Sequence, residues 1–375
     1  MSPRAPLRCA AFALATLLLP APSAGAEPAA PAPADPVARG VAFLVGAQNA
    51  DGTWGSFESR RTGEIYLGTV ASHIAFGEAT SALATMALLV PARTDAAARA
   101  ALARGAEALL RAPVTRRATG STFYNTWAHV YRIQALARLA REPGPDGARF
   151  REALGREIAA LESLQGMDGG WGYYDFGWAL PTPSGHESTS FLTAAALVAL
   201  HEAAAAGVPV APAVIERALR AIERLRLPDG AYVYGVYARM NPEMLYNRVK
   251  GSLGRSQPCN LALWLHRRAG FGATDLLRGL ENLKEHHHFI AIGRGRPYPH
   301  EAWYYTAGYY FFFGHYYAAL VIRELDPAAQ ERFRPWLRDT LAGLQDADGS
   351  WWDFPFYGYH KAYGTALALL ALEAL

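Results

Sequence analysis

Acid–base and nucleophilic chemistry needs carboxylates, imidazoles and thiols held together away from bulk water. This chain repeats such groups at equivalent places: Glu78, His129, the pair His186–Glu187, Cys259, His315 and His360. Each stands at or near the start of a largely apolar, helix-patterned stretch, where a helix N-terminus favours anions and lowers a thiol pKa. Six stretches carrying one such group at nearly the same level predict a polar-lined mouth. Glu187, with His186 beside it to orient the carboxyl, reads as a general acid or base. His129 reads as a second proton-transfer group and Cys259 as a nucleophile. Glu78 and Glu187 also read as first-turn residues satisfying helix ends, and Cys259 as a small buried hydrophobe. The run Glu285–His288 reads as a solvated helix end rather than a metal site, because adjacent histidines on a helix face different directions.

Residues 303–317, WYYTAGYYFFFGHYY, are aromatic at ten of fifteen positions. Aromatic walls take apolar polyenes, flat rings, sugars and cations on their faces. Trp303, Tyr304, Tyr305, Tyr309 and Tyr310, with His315 and Glu78, are the candidate ligand-binding residues, for an apolar or ring-shaped small molecule. Packing of a helix pair is the other reading of this run. Gly308 and Gly314 interrupt it, so it is too short to span a membrane. A membrane surface stays open as a partner. A net charge of +3 over 375 residues, with no basic stripe, points away from nucleic acid.

A repeat must position these groups. The phrase Gln48-Asn-Ala-Asp51-Gly52-Thr-Trp54 returns as Gln165-Gly-Met-Asp168-Gly169-Gly-Trp171 and as Gln345-Asp-Ala-Asp348-Gly349-Ser-Trp351. A worn copy is Arg226-Leu-Pro-Asp229-Gly230-Ala-Tyr232. The steps of 117, 61 and 119 residues imply a unit of about 60, with diverged anchors at Arg111 and Lys284. Six units follow. Each pairs a charged-face helix with a nearly all-apolar one, and a helix apolar all round must be buried. The expected fold is all-α, an α/α toroid of six helix hairpins with inner and outer rings. An open solenoid would leave the apolar helices in water. In the phrase, Asp-Gly makes a tight turn, Trp covers the helix-pair end and Gln can bond exposed helix-end amides.

Gln-x-x-Asp-Gly-x-Trp at helix-pair junctions resembles the repeat of squalene and oxidosqualene cyclases and of protein prenyltransferase β subunits (the prenyltransferase/squalene oxidase repeat). The resemblance spans about residues 36–375. From the class II cyclases it implies an acidic group at the start of an inner helix that protonates an alkene or epoxide. Glu187, in His186-Glu187-Ser188-Thr189, occupies a similar place, although the Asp-rich pattern is absent. From the prenyltransferases it implies zinc held by Cys259 and His360, with Gln257 where the family has Asp. That ligand set is incomplete, since catalytic zinc keeps three protein ligands. Those enzymes also need an α subunit inside cells, and nothing here implies one.

The start of the chain predicts export. Arg4 and Arg8 precede an apolar run, and Ala24-Gly-Ala26 forms a small-x-small cleavage site. Residues 1–26 read as a signal peptide, 27–36 as a Pro/Ala linker and 37–375 as the toroid, periplasmic or secreted. One cysteine then remains, so no internal disulfide forms. The functional expectation is an exported toroid whose aromatic-lined cavity processes or binds an isoprenoid-like or other apolar ligand. The alternatives are a non-catalytic binding scaffold and a polysaccharide-active enzyme using Arg132, Arg255 and Arg294.

Overall fold

The computed structural model describes residues 35–61, 64, 67–116, 122–172 and 188–375. The expected signal peptide, the linker up to residue 34, His186 and Glu187 lie outside the described residues. The helices are α1 Pro36–Gly46, α2 Val70–Ala87, α3 Ala96–Arg111, α4 Asn125–Arg141, α5 Gly147–Ser163, α6 Ser190–Ala205 and α7 Pro212–Leu225. They continue as α8 Val249–Leu265, α9 Ala273–Glu285, the short α10 His287–Ala291, α11 Tyr310–Glu324, α12 Pro327–Ala342 and α13 His360–Ala374. Among the described residues the β-type pairings are isolated bridges, two of which pin repeat turns: Gln48 to Trp54 and Arg226 to Tyr232.

Composition sorts these helices into two layers. α6 is buried on every face from Ser190 to Leu200, so it has no solvent side. α7 buries Val214, Ala218, Leu219, Ile222 and Leu225 and leaves Arg217, Arg220 and Arg224 exposed. In the inner ring α2 packs on α4, α4 on α6, α6 on α8, α8 on α11 and α11 on α13, and α13 returns to α2. Helices α3, α5, α7, α9 and α12 each pack outside the inner helix that precedes them, and α1 packs on α13. The result is a closed α/α toroid of six helix pairs.

The recurrent phrase joins the outer helix of one pair to the inner helix of the next, after α1, α5 and α12. Gly52, Gly169 and Gly349 hold φ of +91°, +92° and +86°. A Cβ on them would come within 2.5–2.6 Å of the carbonyl oxygens of Arg104, Arg217 and Arg39, so glycine is required twice over. The indole N–H of Trp54, Trp171 and Trp351 donates to Leu44, Leu161 and Leu341 O at 2.7–2.8 Å. Those carbonyls belong to the last turns of α1, α5 and α12, where the regular i to i+4 ladder ends. The glutamine bonds carbonyls rather than the expected amides, because its Nε2 is a donor. Gln48 donates to Gly52 O and Ala101 O, and Gln165 to Gly169 O and Val214 O. Gln345 donates to Gly349 O and Pro36 O, both at 2.9 Å, which ties the last turn to the first helix and closes the ring. In the worn copy Arg226 pairs with Asp275, and the Tyr232 hydroxyl donates to Asn260 Oδ1 at 3.0 Å.

Candidate functional site

The inner helices enclose a cavity of about 320 Å³, at the small end of the roughly 300–1,000 Å³ usual for small-molecule sites. α2 supplies Phe76, Ala79, Thr80 and Leu83, α4 supplies Trp127 and Tyr131, and α6 supplies Phe191. α11 adds Tyr310 and Phe313, and α13 adds Tyr363 and Leu367. The connections contribute Tyr124, Tyr234, Pro299, His300, Tyr309, Phe354 and Phe356. Twelve of these eighteen residues are aromatic, and none is Asp, Glu, Lys or Arg. The rings brace one another. Trp127 stacks on Tyr131 with centroids 5.5 Å apart, and Phe313 meets Trp127 edge-on at 5.6 Å.

One side of the wall is polar. The Tyr309 hydroxyl and His300 Nε2 are 3.0 Å apart, and His300 Nδ1 lies 2.7 Å from Tyr305 O. A carbonyl can only accept, so Nδ1 carries the proton and Nε2 accepts from Tyr309. Burial holds His300 below the usual imidazole range, and the Arg255 charge adds to this. The Tyr310 hydroxyl donates to Tyr234 Oη at 2.8 Å. Behind Tyr363, Asp353 is fully buried; it accepts from the Tyr363 hydroxyl and from Phe312 N at 3.0 Å. Burial pushes its carboxyl up to about 6 despite those donors. Asp353 thereby caps α11 and holds the Tyr363 ring against the cavity.

Backbone strain gathers at the same mouth. Among the described residues six non-glycine residues have positive φ; Tyr124 (69°) and His300 (61°) line the cavity, and Tyr305 (53°) accepts from His300. Such conformations persist where the surroundings over-determine them, and they cluster at ligand clamps and active sites.

The sequence candidates are distributed differently from the expectation. Tyr309 and Tyr310 line the cavity. Trp303 and Tyr305 are largely exposed beside the mouth, and Tyr304 packs on Phe289 outside it. Glu78 and His129 turn away from the centre into the space between the rings, where they join Arg132 and Glu157. His129 Nδ1 lies 2.6 Å from Glu157 Oε2, Arg132 Nη2 2.9 Å from Glu157 Oε1, and Arg132 Nη1 2.9 Å from Glu78 Oε2. Cys259 is buried on α8, and desolvation pushes its thiol far above the usual range, which removes the expected thiolate. His360 donates from Nδ1 to Tyr357 O at 2.8 Å on α13. α11 stands between α8 and α13, so Cys259 and His360 are not brought together as zinc ligands. Among the described residues no three His, Cys, Asp or Glu side chains form a metal-capable group.

His315 also faces outward from the cavity. Its Nδ1 bonds Phe311 O at 2.6 Å, so its Nε2 accepts from His287 Nε2–H at 2.9 Å. Burial drives His315 down to about 3 and His287 to about 4. Below the usual imidazole value of 6.5 the unfolded chain binds protons that this pair refuses, so stability present above pH 6.5 is lost as pH falls toward 4. For His315 alone the loss is about 3 kcal/mol by pH 4. Urea midpoints measured from pH 7 to 4 should fall, and His315→Gln should flatten that slope. An unchanged slope in the variant would remove this pair as the acid-sensitive element.

The residues that reasoning from sequence missed are chiefly Phe76, Trp127, Tyr131, Phe191, Tyr234, His300, Phe354, Phe356 and Tyr363. A usable signal was present for several of them. Trp127 and Tyr131, like Phe76 and Thr80, stand four apart and share a helix face.

No protein-family model and no curated protein matches the sequence. Solved structures do match. The type II terpene cyclase MstE from Scytonema, in its apo form, superposes with a TM-score of 0.52 at 15% identity, over 90% of this chain and 96% of that one. This chain shares the α/α-toroid fold of that structure. A protein from Actinoplanes (TM-score 0.48, 16% identity, 90% and 98% covered) has a looser likeness. So has a possible member of the GH105 family from Klebsiella pneumoniae (0.47, 13%, 90% and 91%). At these identities the likeness concerns fold.

Proposed function

We propose that the protein is an exported toroid that takes an isoprenoid-like apolar ligand from a membrane surface into its central cavity. The observation that carries this reading is the cavity wall, twelve aromatic side chains with no carboxylate, ammonium or guanidinium among the lining residues. Ring faces suit a folded polyene and also stabilise positive charge developing on it, and the fold is shared with a terpene cyclase. A sugar-cleaving site is less well supported. Arg132 is tied into the ion cluster between the rings, Arg255 sits behind the wall, and Arg294 reaches Trp352 O.

The membrane part rests on the mouth. Tyr237, Met240, Met244, Leu245, Tyr298, Trp303 and Tyr305 are all exposed, on two loops that meet where Tyr246 packs on Tyr305. The same two stretches of chain supply Tyr234 and His300 to the cavity. Exposed aromatic and Met side chains beside Arg239 and Arg248 suit a lipid interface. No described helix is long and apolar enough to cross a membrane. Export rests on the basic start, apolar run and Ala24-Gly-Ala26, so the chain from Glu27 is the species to assay. Recovery of an uncleaved chain from inside its native cells would remove that part.

Titration with farnesol and its methyl ether, followed by calorimetry, should give one-to-one binding that Leu83→Trp, which fills the cavity, abolishes. Trp303→Glu with Met240→Glu should lower co-sedimentation with phospholipid vesicles several-fold and leave binding of dispersed ligand intact. Mass spectrometry of the incubated ligand separates turnover from storage. Absence of neutral-isoprenoid binding would refute the reading.

A further inference from the structure

We infer that the ligand of the central cavity carries a single carboxylate at one end of an apolar body, and that Arg255 positions that end. The inference rests on the apolar-ligand reading and names the ligand's class more closely. Arg255, on α8, is 1% exposed. Its Nη2 donates to Gly251 O at 2.9 Å and to Tyr246 O, while its Nη1 is buried without a hydrogen-bond partner. No described carboxylate lies within ion-pair distance of it, although the other fully buried guanidinium, that of Arg132, has two. The Arg255 guanidinium lies 4.7 Å from the centre of the Tyr234 ring and 5.7 Å from that of Tyr310. Both rings line the cavity.

A charge buried without a counter-ion is costly. Ring faces and two carbonyls offset part of that cost. A negative group across the tyrosine wall supplies the remainder, and it meets the hydroxyl-bearing side of an otherwise apolar cavity. Burial and the Arg255 charge both favour the neutral form of His300 beside that wall, so it adds no second positive charge there. One guanidinium balances a monoanion. A diphosphate carries more charge than this corner can match. The far wall of Trp127, Phe191 and Phe313 takes the hydrocarbon.

The test compares four ligands of one chain length on the mature wild-type protein by calorimetry: farnesoic acid, methyl farnesoate, farnesol and farnesyl diphosphate. The acid is expected to bind about tenfold more tightly than ester or alcohol, the size of one charge pair acting through a thin low-dielectric wall. The diphosphate should bind more weakly than the acid. Arg255→Met should erase the acid's advantage, read as the ratio of acid to ester affinity within the one variant, and Arg255→Lys should keep most of it. Ester and alcohol binding as tightly as the acid, or the diphosphate binding tightest, overturns the inference and leaves the apolar-ligand reading standing. Should Arg255→Met not fold, the wild-type series and Arg255→Lys decide. If none of the four binds, the apolar-ligand reading fails and the inference falls with it.

Discussion

Gly314→Ala is expected to destabilise the protein by about 3 kcal/mol, the upper range for forcing atoms into a packed interior. Helices α8 and α11 touch backbone to backbone at Gly254 and Gly314. A Cβ on Gly314 would fall on the Cα of Gly254, and a Cβ on Gly254 would stand 2.6 Å from Tyr310 O and 2.9 Å from Ile290 Cδ1. Ile290 Cδ1 can swing aside, but the Gly254 Cα and the Tyr310 carbonyl are backbone, so the helices themselves must separate. α11 carries Tyr310 and Phe313 into the cavity, so the variant should lose ligand affinity along with stability. Urea unfolding of Gly314→Ala beside Gly155→Ala, where an added Cβ meets nothing within 4 Å, gives the comparison. Equal midpoints for the two would show that the ring tolerates a wider crossing.

Glu157→Ala should cost about 3–5 kcal/mol, because it leaves a buried guanidinium without a main partner. Glu157 and Arg132 are 1% and 2% exposed, and Glu157 also holds His129. Arg132 keeps Glu78 and the carbonyls of Pro113 and Ala112, at 3.0 and 3.1 Å, which sets the lower bound. The double variant Glu157→Leu with Arg132→Met should be much less destabilised than the sum of the singles, since no charge is then stranded. A double-mutant cycle by urea unfolding measures the coupling. Near-additive losses would mean that the cluster does not act as a unit. Ligand binding should survive in the double variant, because the cluster lies between the rings and outside the cavity wall.

These two sites show where reading the sequence succeeded and where it could not. The repeat phrase, its spacing and the alternation of charged-face with all-apolar helices gave six pairs and a closed ring. The reason is local: Asp-Gly sets a turn, Trp and Gln satisfy the orphan carbonyls beside it, and an apolar helix has to be buried. Those relations span a few residues or one repeat, so the chain alone carries them.

The face that each inner helix turns to the centre was not legible in that way. Glu78, His129 and His315 were selected for their chemistry at one level of the ring. Successive helical residues turn by about 100°, so a residue two positions away looks to nearly the opposite side. Phe76 and Thr80 flank Glu78, Trp127 and Tyr131 flank His129, and Phe313 precedes His315. The aromatic residues therefore reach the cavity, and the ionisable ones go between the rings or to the outer layer. Composition determined that there is an inner ring and that its contents are apolar. Only the packing of α2, α4, α6, α8, α11 and α13 around one axis decided which side chains meet there. That same packing set Arg255 behind Tyr234 with no described carboxylate at ion-pair distance, a relation between residues on α8 and a distant loop that no local spacing encodes.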